Sequence, residues 1–237
     1  MKELEVAKLA CYKAGVFLSK LKKKEIKSNV GRDIKLQADL DSEKIICETL
    51  LSFFSYPILS EESYRLSSED RKKFHWIVDP LDGSLNFSQN IPLCCISIAL
   101  YEGNKPILGV IYDFYRDEMF SGLSGVGAWL NDRKIFKLSK KKDREQAILA
   151  TGFSSYMNHS KKELIEFVSY IQEFKKVRLF GSAALSLAYL ACGRVDAYYE
   201  KNIAFWDVAA GLAIISGLHY HPHFSFGEFL NLKIDFL

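Results

Sequence analysis

Apolar positions between residues 2 and 24 recur at three- and four-residue steps, through Leu4, Ala7, Cys11, Ala14, Phe17, Leu18 and Leu21. That spacing predicts an amphipathic helix with one face inward. A polar loop, EIKSNVGRDIKLQADL, separates it from a second helix expected over 41–54, with Ile45, Ile46, Thr49, Leu50 and Phe53 inward. PILSEES then reads as a short strand ending in two acids. The pattern next becomes a series of strand formers: HWIVD, CCISIALYEG, PILGVIYDF, EMFSGL and GAWLNDRKIFKL. Asn104, Gly122, Gly125 and Asn131-Asp132 punctuate them. Such short turns join consecutive strands into an antiparallel meander.

Beyond the charged segment SKKKDREQ (139–146) the pattern changes to alternation. AILATGF precedes a helix near 160–171, KVRLF one from Ser182, and VDAYYE one from about Asp207. Alternation of this kind predicts layered α/β packing. The expected organisation is one compact unit with two halves, α+β over 1–138 and α/β over 139–237.

Composition narrows the function classes. The chain has 237 residues, 49% of them hydrophobic, and a net charge of +3 from 32 basic and 29 acidic residues. That balance is too mild to argue for nucleic acid. The basic runs KLKKK and KKKDR hold no interleaved aromatics and read as solvated helix ends and a linker. Cys11, Cys47, Cys94, Cys95 and Cys192 are odd in number and show no CxxC spacing. They read as small buried hydrophobes in a reducing compartment. The longest apolar runs, such as IPLCCISIAL, fall short of the ~20 residues of a membrane span, and the N-terminus lacks a signal-peptide pattern. A cytoplasmic protein with no membrane partner is expected.

The chemistry concentrates in FHWIVDPLDGSLNF, residues 74–87. The strand formers stop at Asp79, and Asp82 follows on the turn before Gly83, Ser84 and an expected helix. Glu61 and Glu62 end another strand, Glu200 ends VDAYYE, and Asp207 opens the helix in FWDVAAG. Strand ends in a layered sheet can share one crevice. Carboxylates that meet there repel one another unless a cation lies between them. An all-oxygen set suits Mg²⁺ first and Mn²⁺ second. Gly83 permits close backbone approach to a ligand, Ser84 can cap the helix, and the N–H groups of the turn suit phosphate. LFGSAAL offers the same arrangement at Gly181 and Ser182.

Asp41 in ADLDSE, Glu61-Glu62 in LSEES, DPLDGSLNF and WDVAAG together resemble the inositol monophosphatase superfamily of Mg²⁺-dependent, lithium-sensitive phosphatases, in order and spacing up to about residue 217. The resemblance implies the layered αβαβα sandwich of the inositol monophosphatase and fructose-1,6-bisphosphatase type. It also implies hydrolysis of a phosphate monoester, two or three Mg²⁺ ions and a homodimer. Glu61, Asp79 and the Leu81 carbonyl would form one metal site, and Asp79, Asp82 and Asp207 a second, with a weaker ion near Glu61. Glu61 and Ser84 would activate a metal-bound water, with Asp41 orienting Ser84. Gly83 and Ser84 N–H groups would hold phosphate. Asp82, Gly181, Ser182, Ala183, Glu200 and Asp207 would face the substrate. SLNF after the core motif favours inositol monophosphate or a related sugar phosphate. Fructose 1,6-bisphosphate, a bisphosphate nucleotide, or a weakly catalytic regulatory role are the alternatives.

Three departures stand out: Ser84 replaces a threonine, Ser60 a glycine, and ISGLHYHPHFSFGEFLNLKIDFL replaces the family's last elements. Shortened or altered C-terminal elements are therefore expected, with a sheet edge left uncovered. His219, His221 and His223 would share a face on a strand, but a histidine-rich tail without a carboxylate nearby is ordinarily incidental. Asp39 reads as loop solvation, and Trp206 as core packing.

Overall fold

The first helix forms where its spacing places it. α1 (Lys2–Lys20) buries Leu4, Ala7, Ala10, Cys11, Ala14 and Leu18. The computed structural model describes all residues except 22–24, 31–32, 64, 137–142, 154–159, 221–228 and 236–237; for 29–30, 33–35 and 229–235 it describes the backbone alone. The expected polar loop contains a hairpin, β1 (Ile26–Val30) paired antiparallel with β2 (Asp33–Leu36). Its few apolar residues leave no period-two signal, and backbone pairing makes it. α2 (Gln37–Leu51) starts four residues earlier than its apolar spacing suggests. The Leu36 N–H donates to Asp39 Oδ2 at 2.5 Å, the reach-back contact that fixes a helix start. Phe53, expected inward, lies past the helix end and is 47% exposed.

The meander is as expected. β3 (Ile58–Ser60), β4 (Phe74–Asp82), β5 (Cys95–Glu102), β6 (Lys105–Asp113), β7 (Glu118–Leu123), β8 (Gly127–Leu130) and β9 (Arg133–Ile135) form a seven-stranded sheet in chain order. Only the β3–β4 pair is parallel. The one-turn helix α3 (Ser84–Ser88) follows β4. A second sheet, in the order β11-β10-β12-β13, holds β10 (Ile148–Thr151), β11 (Lys176–Arg178), β12 (Ala197–Ala204) and β13 (Phe229–Asp235). Three helices interleave with its strands: α4 (Lys161–Ile171), α5 (Ala183–Ala191) and α6 (Phe205–Gly217). β10 is parallel to β11 and β12. β13 runs antiparallel along β12, from Ala197↔Asp235 to Ala204↔Phe229. The edge expected to be uncovered is therefore paired by the chain's own last strand. Of the three tail histidines, His221 and His223 lie outside the described residues; His219 follows α6 with φ 62°.

Alternation along the strands makes five layers. Trp76, Val78, Ile96, Ile98 and Leu100 face α1 and α2, while Ile77, Cys95, Ala99 and Tyr101 face α5 and α6. Ala150 and Tyr198 of the second sheet close the same α5–α6 layer. Its other face, through Leu149 and Ala197, packs against Tyr170 and Ile171 of α4. The order is helix, sheet, helix, sheet, helix. α6 lies directly on the large sheet because Gly109 and Gly122 present no side chain there; a Cβ on Gly122 would sit 2.4 Å from Ile214 Cα.

Candidate functional site

Asp79 and Asp82 are three residues apart, and on a regular strand they would point to opposite faces. β4 does not stop at Asp79; it continues through Asp82, with a register shift. Asp79 pairs with Ser97 and Asp82 with Cys95, so four residues of β4 oppose three of β5. Directly paired residues share a face, and Cys95 and Ser97 are two apart. The bulge therefore turns both acids toward α5 and α6. Pro80 sits inside it, where the missing N–H removes no ladder bond. Gly83 follows at φ 90°, the left-handed region open to glycine, and its N-cap position puts Ser84 at the first residue of α3. Ser84 was expected to cap this helix, but its side chain makes no cap bond. Its hydroxyl faces Asp39 Oδ1 and the Leu81 carbonyl, each at 2.8 Å.

That geometry corrects the expectation for Asp41. Asp41 accepts from Gln37 Nε2 at 2.8 Å, and the acid that holds Ser84 is Asp39, 2% exposed and on the inner face of α2. Asp39 is not solvated loop. The same face carries Ser42, which donates to the Pro80 carbonyl at 2.7 Å, and Glu43, whose Oε2 accepts from the Glu62 N–H at 3.2 Å. Asp39, Ser42 and Glu43 are spaced three and four apart in line with Ile46, so helical periodicity run backward from Ile46 would have found them.

The third wall comes from β12, α5 and α6. Glu200 lies within β12 rather than at its end, beside a register shift before Ile203. Its Oε2 accepts from Tyr198 Oη at 2.8 Å. Asp207 is in the first turn of α6. Ser182 caps α5 as expected, accepting from the Leu185 N–H. Ser182 and the helix start are also directed at an acid: Asp82 Oδ2 accepts from Ser182 Oγ and the Ala184 N–H, both at 2.6 Å. Asn86 ties α3 to this wall, its Nδ2 donating to the Leu93 and Phe180 carbonyls at 2.8 Å each.

Glu61, Asp79, Asp82, Asp207 and Glu200 act on one another electrostatically. Burial first, then Glu61, Asp82 and Asp207, pushes Asp79 well above the usual carboxylate range. Asp207 is raised in the same way, by burial and then by Glu61, Asp82 and Glu200. Burial raises Asp82 to about 6 against the opposing Ser182, Ala184 and Ala183 contacts. It raises Glu200 to about 7, opposed by Tyr198. Among the described residues no three His, Cys, Asp or Glu side chains are already closed into a metal-binding set. The chemistry of the donors nonetheless fits a hard divalent cation: every contributor is oxygen, and a positive charge would offset the burial, and at Asp79 and Asp207 the added repulsion, that raise these acids. The Leu81 carbonyl keeps a second lone pair beyond its Ser84 contact.

The inositol monophosphatase family model matches residues 2–218. A protein named Nus factor SuhB from Xylella fastidiosa is 37% identical over 202 residues, spanning 84% of this chain and 71% of its own. A protein named inositol-1-monophosphatase from Synechocystis is 36% identical over 218 residues, spanning 90% and 75%. Among solved structures, the extragenic suppressor protein suhB from Bartonella henselae superposes with a TM-score of 0.82 at 36% identity, over 92% of this chain and 85% of that one. The inositol monophosphatase of Anabaena (Nostoc) gives 0.78 at 35% identity, over 91% and 81%. With its five layers and its acids gathered by the β4 bulge, the chain belongs to the inositol monophosphatase family.

Proposed function

We propose that the chain is a Mg²⁺-dependent phosphomonoesterase acting on a sugar or polyol phosphate, with inositol monophosphate the first choice. One observation carries the reading: Glu61, Asp79, Asp82, Glu200 and Asp207, from four separate segments, come close enough that the carboxylates around them add to burial in raising the proton affinity of Asp79, Asp207 and Glu200. Family membership and the relatives named inositol-1-monophosphatase support it.

In this reading Glu61, Asp79, the Leu81 carbonyl, Asp82 and Asp207 hold two or three ions. Bound Mg²⁺ would lower the pKa of a water and neutralise charge developing on the phosphoryl group. The chain's own part is proton handling and orientation. A water lying between Glu61 and Ser84 can pass its proton to Ser84 Oγ while the hydroxyl proton moves along the 2.8 Å contact to Asp39 Oδ1. Ser182 and the start of α5 keep Asp82 from turning away. Gly83 and Ser84 N–H groups face the phosphate, and the polyol lies against Gly181, Ser182, Ala183 and Glu200. With its proton affinity raised to about 7, Glu200 can donate to or accept from a substrate hydroxyl near neutral pH.

The test is phosphate release with Mg²⁺ across inositol monophosphate, fructose 1,6-bisphosphate and a bisphosphate nucleotide. Turnover of the first, abolished in Asp82→Asn, is the expected result. A chain that binds Mg²⁺ and phosphate but releases none from any ester is instead a regulatory protein. The relatives named Nus factor SuhB favour that second reading.

A further inference from the structure

The loop that carries Glu61 has little sheet to hold it. β3 is three residues long at the edge of the sheet, and its ladder ends with the Glu61 N–H donating to the Val78 carbonyl at 3.3 Å. The Glu62 N–H is taken by Glu43. The carbonyls of this turn go to Arg65, whose Nη1 donates to Ser60 O at 2.6 Å and Nη2 to Glu61 O at 3.2 Å. The same guanidinium lies over the indole of Trp206, 5.7 Å from the ring centroid. Trp206 is buried and immediately precedes Asp207.

We propose that Arg65 is a positioning residue that fastens the Glu61 loop to the start of α6, so that Glu61 and Asp207 keep one spacing before a cation arrives. The inference rests on the metal-dependent reading of the site. Arg65 suits the task because its planar fork satisfies two adjacent carbonyls while its face stacks on an aromatic ring. A lysine in its place keeps the charge and loses both the fork and the planar face. In this role Arg65 acts through the backbone of Ser60 and Glu61 and the ring of Trp206.

The experiment titrates wild type, Arg65→Met and Arg65→Lys with Mg²⁺ alone by calorimetry. It also follows turnover against Mg²⁺ concentration and amide exchange over 60–66. Arg65→Met should weaken Mg²⁺ binding by about tenfold and speed amide exchange in the loop, with kcat at saturating Mg²⁺ held within about twofold, as expected when a group supporting a ligand is lost. Arg65→Lys should fall between, and it carries the test should the methionine variant fail to fold. Unchanged or tighter Mg²⁺ binding in both variants overturns the role of Arg65 and leaves the phosphatase reading standing. A wild-type chain that binds no Mg²⁺ overturns the metal reading, and the role of Arg65 with it.

Discussion

Asp39 and Asp41 lie two residues apart on α2, and only one faces the site. Asp39 is buried against Ser84 while Asp41 pairs with Gln37 on the half-exposed side. Asp39→Asn should lower turnover about a hundredfold by removing the proton acceptor for Ser84. Asp41→Asn should leave kcat close to wild type, and steady-state kinetics of the two variants decide between the acids. Asp82 yields a pH prediction. Its proton affinity is raised from 3.8 to about 6, so between those values the metal-free folded chain binds more protons than the unfolded one. The stability tied to the protonated acid is therefore lost as pH rises through about 6. Thermal melts of metal-free wild type and Asp82→Asn should show the variant gaining on wild type across that window, and a pH-independent gap would contradict the assignment. The acids themselves were legible as residue types at strand and helix ends. Which of two neighbouring aspartates turned inward becomes legible only when α2 is carried back past Asp41, because the inward periodicity through Ile46 then reaches Asp39.

At the scale of elements, long periodic segments were readable and short ones were not. α1, the meander and the alternation of α4, α5 and α6 with strands follow from apolar spacing. The β1–β2 hairpin does not, since its sequence carries too few apolar positions to show a strand period. The bulge in β4 was equally hidden: DPLD reads as a turn, yet Pro80 lies inside a continuous strand. Inserting one alanine after Leu81 makes the spacing four, which keeps both acids on one face of a regular strand but carries Asp82 about 3.3 Å along it, away from its Ser182 and Ala184 contacts. Loss of Mg²⁺ binding with near-native circular dichroism is the expected outcome. The seat of α6 on the sheet makes a second prediction at this scale. Gly109→Ala would drive a methyl group into the backbone of Ala210, and a loss of about 2 kcal/mol in urea unfolding is expected from overpacking.

For the whole molecule, folding has to gather charges that resist gathering. Asp79, Asp82 and Asp207 gain proton affinity on folding, and a cation bound only to the folded state would reverse that cost. Mg²⁺ at a hundred times its dissociation constant should add about 2.7 kcal/mol to stability. Asp79→Asn, which removes the most deeply buried of the acids, should lose most of that gain while melting at a higher temperature without metal. Differential scanning calorimetry with and without Mg²⁺ reads both effects.

The sequence by itself determined the layered packing, through apolar periodicity, and the family, through the motifs that hold Glu61, Asp79, Asp82 and Asp207, because periodicity and residue type are local properties. The tertiary structure alone decided that Asp39 holds Ser84, that a bulge brings Asp79 and Asp82 to one face, that α5 is aimed at Asp82, and that the last strand covers β12. Each of these depends on register between segments far apart in the chain, and register is set by packing rather than by composition.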